Sequence, residues 1–284
     1  MTRNQTLWLV FNRASGSNDE AALAELETAL GEAGFAIARR TCFPDEPAPD
    51  AAALDGADID TLCVFAGDGT IHSVVTELFG WTGRILVLPG GTMNMLSRRI
   101  HGDLPPGEIV ARIAAGGMRL VRPTILKCAH GFALTGALAG PGAQWNNVRE
   151  AMRHGAVTEF ASAATEAAVE SISAERVSCH GLEELRPEGY AAVAVTPVDE
   201  GIEIKGYYAQ GVADYISQIV AMVQGDFRNG PHDELGIVPS VDIESLDGEP
   251  MGLLMDGEPH DGLPCERFEI VPCGVDLIAT ADGV

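Results

Sequence analysis

The sequence predicts a two-part α/β protein, with a parallel three-layer α/β domain at residues 1–122 and a β-rich domain at 123–284. Three observations predict it. The chain has 284 residues, enough for two moderate hydrophobic cores. Apolar strands alternate with helical patterns up to about residue 122. Beyond that point short strand-like runs separated by Gly and Pro take over. A composition of 46% hydrophobic and 21% charged residues is that of a globular protein, which excludes collagen-like, disordered and disulfide-scaffold chains.

Taken in order, residues 7–11 form a buried strand, and Asn12, Ser15, Gly16 and Asn18 form the turn after it. Leu23, Leu26, Leu30 and Ala33 then recur at a spacing near 3.6, with Glu25, Glu27 and Glu32 between them, which predicts an amphipathic helix. Residues 35–40 read as the next strand and the Pro-rich 44–49 as a loop. A third strand at 61–65 runs into Ala66-Gly67-Asp68-Gly69-Thr70, and Ile71, Val74, Val75 and Leu78 continue with helical spacing. The pattern repeats at 83–88, followed by Pro89-Gly90-Gly91-Thr92 and a short helix through Met95, Leu96 and Ile100. In the second domain, strands are expected at 125–128, 132–134, 190–195, 202–207, 253–255, 267–270 and 275–279, the last of which could return to the first domain. Helices are expected at 145–173 and 210–223.

The net charge is -23, and it is uneven: residues 199–284 hold 3 basic against 18 acidic side chains. Such a field disfavours binding to a nucleic-acid backbone. Seven of the 16 Arg lie between Arg98 and Arg153, which makes that stretch the place to expect an anion or an anionic surface. No apolar run is long enough for a transmembrane segment or a signal peptide, so the expectation is a cytoplasmic protein. Its six Cys include no CxxC pair and read as reduced, small hydrophobes.

Gly67-Asp68-Gly69-Thr70 lies between a strand and a helix, where glycines let backbone N–H groups approach an anion at a helix N-terminus and Thr70 can cap the helix. An Asp in such a loop suits a magnesium ion or a proton taken from an attacking hydroxyl. Two further clusters, Asn12-Arg13-Ala14-Ser15-Gly16 and Gly91-Thr92-Met93-Asn94, also fall at predicted strand ends, where one crevice can collect them. Asp256-Gly257-Glu258 stands near the C-terminus. His72 reads as a structural histidine one turn into its helix, and Arg98 and Arg99 as a solvated helix face within reach of phosphate.

In order and spacing these four clusters resemble the diacylglycerol kinase catalytic family, which includes bacterial lipid kinases, sphingosine kinases and ceramide kinases. The resemblance implies an N-terminal three-layer α/β nucleotide-binding domain and a C-terminal β-sandwich-like domain. It further implies ATP and Mg²⁺ as cofactors and a lipid hydroxyl, such as that of diacylglycerol, as acceptor. By matching position it assigns Asn12, Ser15, Gly16, Gly67, Gly69, Thr70, Gly91, Thr92 and Asn94 to the nucleotide. Asp68, Asp256 and Glu258 become the catalytic acids, with Asp68 and Asp256 toward the metal. The pattern departs at Arg13, Ala66, Ser73 and Met95; the last replaces an acid, leaving Asp68, Asp256 and Glu258 as the only motif carboxylates. A lipid substrate implies contact with a membrane surface, at its inner face for a cytoplasmic protein, and a homodimer is compatible with the sequence. Two other readings use the same residues: an NAD kinase-like enzyme acting on a soluble metabolite, and a nucleotide-binding protein that has lost catalysis.

Overall fold

The computed structural model describes residues 5–13, 20–140, 176–183, 185–208 and 232–280. The chain divides into two compact units, Met1–Pro123 with Pro272–Val284, and Thr124–Val271.

Unit 1 is built on one six-stranded sheet. Its strands are β1 (Gln5–Phe11), β2 (Phe35–Cys42), β3 (Thr61–Ala66), β4 (Arg84–Pro89), β5 (Arg119–Val121) and β17 (Asp276–Ala279), in the spatial order β2-β1-β3-β4-β17-β5. All neighbours are parallel except β5, which runs antiparallel to β17. Five helices accompany it: α1 (Glu20–Glu32), α2 (Ala51–Gly56), α3 (Asp68–Glu77), α4 (Met95–His101) and α5 (Pro106–Ala114). The strands read as continuous apolar runs because both faces are covered. Leu7, Leu9 and Phe11 alternate onto the face that packs Leu26 and Leu30 of α1 and Ile109, Val110 and Ile113 of α5. The intervening Trp8 and Val10 are buried as well, on the opposite face of the pleat. Two helices escape the sequence reading. Six-residue α2 is too short for a periodic signal and depends on its cap, Asp50 accepting the Ala53 N–H at 2.7 Å. In α5, Pro at its first position and the Ile109, Val110, Ile113 spacing are the signals that were available.

Unit 2 contains two antiparallel sheets. One has the order β12-β11-β10-β8-β14-β15, from β8 (Ala137–Gly140), β10 (Ala192–Val198), β11 (Gly201–Tyr207), β12 (His232–Val238), β14 (Gly252–Met255) and β15 (Glu258–Asp261). The other, β7-β6-β16-β13-β9, comprises β6 (Thr124–Cys128), β7 (Gly131–Ala133), β9 (Val177–Cys179), β13 (Ser240–Ser245) and β16 (Cys265–Pro272). Val193, Val195, Ile202, Ile204 and Leu253 from the first sheet share one core with Leu126, Val241, Ile243 and Phe268 from the second, which is sandwich packing. The helices expected at 145–173 and 210–223 lie outside the described residues.

Candidate active site

In unit 1 the order β2-β1-β3-β4 reverses direction between β1 and β3, and loops at the carboxyl ends of such strands frame the crevice where open parallel sheets take ligands. Three of the predicted clusters leave the sheet there. Asn12 follows β1; its N–H donates to the Phe65 carbonyl at 3.3 Å and its Nδ2 to Thr70 Oγ1 at 3.0 Å. Gly67 precedes α3, and Gly91 to Asn94 connect β4 to α4. The Gly90 N–H donates to the Ala66 carbonyl at 3.0 Å, so the second and third loops start side by side.

Thr70 does not cap α3. The cap position is Gly67, which has no side chain to accept from the first amides, and Thr70 lies within the first turn with its hydroxyl accepting from Asn12. Asp68 is the acidic residue of that turn, where a negative charge complements the helix dipole.

The carboxylate of Asp68 also holds the neighbouring helix. Asn94 sits in the left-handed region at φ 52°, a conformation its short polar side chain tolerates. That side chain is spent on Gly91: Oδ1 accepts the Gly91 N–H at 2.8 Å, and Nδ2 donates to the Gly91 carbonyl at 2.9 Å. The opening amides of α4 turn instead to Asp68, whose two oxygens accept from Asn94 N–H at 2.8 Å and Met95 N–H at 2.6 Å. Asp68 therefore caps α4 across the loops. Sequence spacing shows none of this, because the bond joins residues 26 and 27 positions apart.

Gly91 makes a close approach, to protein backbone: a Cβ placed on it would lie 2.7 Å from Gly67 Cα. The obstacle is backbone and not a flexible side chain, so a side chain here must part the two loops. Gly91→Ala is expected to cost about 1–3 kcal/mol of stability, as overpacking does elsewhere. Thermal melting checks it; an unchanged melting point would show that the loops separate freely.

At the end of α4, His101 is fully buried. Its Nε2 lies 3.0 Å from the Val87 carbonyl and its Nδ1 2.9 Å from Thr280 Oγ1. A carbonyl only accepts, so the proton is on Nε2 and Nδ1 accepts from the Thr280 hydroxyl. Burial pushes the imidazole down to about 4, against the opposing pull of the Val87 carbonyl. His72 lies within α3 and is partly buried, in keeping with a structural role.

The structure thus brings together Asn12, Gly67, Asp68, Gly69, Thr70, Gly91 and Asn94, with Thr92 exposed in the same loop. Ser15 and Gly16 lie outside the described residues. Asp256 and Glu258 belong to unit 2. Asp256 is 6% exposed, and its carboxylate accepts four hydrogen bonds from residues 134–136 of that unit. In the Arg-rich stretch, Arg98, Arg112 and Arg122 pair with Asp103, Glu108 and Asp276. Arg149 and Arg153 are outside the described residues.

The family model of the diacylglycerol kinase catalytic domain matches residues 6–123, a span that contains every loop of this site. Residues 6–123 belong to the diacylglycerol kinase catalytic domain family. No curated protein matches the chain. Two solved structures from Bacillus anthracis str. Sterne align over 100% of this chain and 100% of their own. One, described as "a putative diacylglycerol kinase", has 18% identity and a TM-score of 0.64; the other, described as a diacylglycerol kinase, has 19% identity and a TM-score of 0.63. These likenesses establish the diacylglycerol kinase-like two-domain fold.

Among the described residues no group of three or more His, Cys, Asp and Glu is set to hold a metal. Asp68 is of the donor type that magnesium takes beside phosphate oxygens, a carboxylate standing where two glycine-rich loops meet. Asp256 is engaged within unit 2, one oxygen accepting three hydrogen bonds and the other one from residues 134–136. No described helix is long and apolar enough to cross a membrane.

Proposed function

We propose that the protein is an ATP- and Mg²⁺-dependent lipid kinase, transferring the γ-phosphoryl group to a lipid hydroxyl such as that of diacylglycerol. The observation that carries this reading is the pinning of two glycine-rich loops by Asp68 at the reversal point of the diacylglycerol kinase catalytic domain. Phosphoryl transfer requires mainly positioning and charge neutralisation, with little covalent chemistry from the protein. The backbone at Gly67, Gly69 and Gly91 would face the phosphates, and Asn12, Ser15, Gly16, Thr70, Thr92 and Asn94 would complete the nucleotide pocket. Asp68 would face the magnesium-bearing phosphates, where the ion, when bound, neutralises developing charge. Glu258 is the remaining motif acid, with the role of accepting the proton of the acceptor hydroxyl. A lipid acceptor places the protein at a membrane surface, peripheral to the inner face.

The test is transfer of label from γ-labelled ATP in the presence of Mg²⁺, with a diacylglycerol-containing lipid extract in one arm and NAD in the other. Label in the lipid phase is the expected result. Label on NAD alone would make the protein a soluble-metabolite kinase, and ATP binding without transfer in either arm would make it a nucleotide-binding protein without catalysis.

A further inference from the structure

Asp256 and Gly257 are the two central residues of the hairpin between β14 and β15, with φ of 50° and 83° and Met255 opposite Glu258 as the closing pair. Two consecutive positive φ values are the signature of the tight turn that favours Asp-Gly. This turn is anchored through its first side chain. One Asp256 oxygen accepts the Leu134 N–H at 2.7 Å; the other accepts the Thr135 N–H at 2.8 Å, the Thr135 hydroxyl at 2.6 Å and the Gly136 N–H at 3.3 Å. The Asp256 N–H in turn donates to the Gly136 carbonyl at 3.0 Å.

Three successive backbone amides converging on one anion form a nest, a geometry that elsewhere receives phosphate. Here the occupant is the chain's own carboxylate, 6% exposed. A metal ligand must turn a lone pair toward the ion, whereas this carboxylate is 6% exposed, with three donors on one oxygen and a fourth on the other.

We propose that Asp256 is a positioning residue and not a metal ligand: it is the resident anion that orders residues 134–136 and fixes the turn that presents Glu258. Residues 134–136 lead directly into β8, which pairs with β14 through Ala137 opposite Met255, so loop and turn are held as one piece. The consequence for turnover rests on the kinase reading; the consequence for folding does not. Removing the carboxylate leaves three converging amides without their acceptor, and a buried donor deprived of its partner is costly.

The experiment uses the full chain as Asp256→Asn and Asp256→Ala, melted in EDTA without nucleotide. Asp256→Ala is expected to lower the melting point by about 5 °C or more. Asp256→Asn, which keeps one oxygen for Thr135, should lower it by less. Sodium formate at tens of millimolar should raise the midpoint of Asp256→Ala and leave the wild type unmoved, because the small anion re-enters the nest. Should Asp256→Ala fail to fold, Asp256→Asn carries the same comparison. In turnover assays the half-saturating Mg²⁺ concentration of Asp256→Asn should stay within about twofold of wild type while kcat falls. A metal ligand would show the reverse: wild-type melting of both variants in EDTA and a rise of about tenfold or more in the Mg²⁺ requirement. Either of those results overturns the proposal. If the wild type transfers no phosphate, the EDTA and formate arms still decide the role of Asp256, so failure of the kinase reading remains distinguishable.

Discussion

Asp68→Asn is expected to lower phosphoryl transfer by a factor of about 100 or more, and to leave a protein that folds with reduced stability. The first effect follows from the charge. On the proposed kinase function a carboxylate facing the phosphates is replaced by a neutral amide, and loss of one such electrostatic or proton-accepting group commonly costs about 10²–10³ in rate. The second follows from the cap on α4. One of two oxygens becomes an NH₂ group facing the N–H of Asn94 or Met95, so one charge-assisted bond is lost and a donor meets a donor. That is worth about 1–3 kcal/mol. An account in which Asp68 were only a loop carboxylate would predict the rate loss without the stability loss. Transfer of labelled phosphate and thermal melting of the same preparation check both; near wild-type turnover would remove Asp68 from the chemistry.

Acidification is expected to destabilise unit 1 through His101. In the unfolded chain the imidazole titrates near its ordinary 6.5, whereas in the folded chain burial holds it down to about 4. Between these values the unfolded state carries a proton that the folded state does not. Stability from this group is therefore complete above about pH 6.5 and is lost as the pH falls toward 4, by a total of about 3 kcal/mol. His101→Gln can still donate to the Val87 carbonyl and accept from Thr280 without titrating. Its melting point should drop less between pH 6.5 and pH 4 than that of the wild type, by roughly 6–12 °C. Parallel pH profiles for the two proteins would show that the imidazole remains protonatable in the fold.

What the sequence made legible follows from the range of the interactions involved. The runs at 7–11, 61–65 and 83–88 could be read as strands because burial on both faces leaves them apolar apart from Thr61 and Arg84 near their starts, and β1, β3 and β4 stand there. The amphipathic spacing of Leu26 and Leu30 likewise reports a face that packs against the sheet. The glycine clusters at 67 and 91 were visible as loops because Gly is the residue that lets two backbones meet, and Gly91 does meet Gly67. The partners of the polar side chains were not visible. Asp68 caps a helix that begins 27 residues later, Asp256 fills a nest made 120 to 122 residues earlier, and His101 is paired 179 residues away with Thr280. Each of these contacts exists only once the sheets have assembled, so local pattern cannot announce it. Thr70 illustrates the same limit from the other side. Its place before an apolar run suggested a cap, but Gly67 had already opened the helix three residues earlier.

The central claim, that the loops pinned by Asp68 receive the nucleotide phosphates, is tested most directly by amide hydrogen exchange on the full chain with and without ATP and Mg²⁺. The account predicts slowed exchange concentrated at residues 67–71 and 91–95, with Asp68→Asn abolishing the effect at both. Protection confined to other segments, or ATP binding that leaves both loops unchanged, would contradict it.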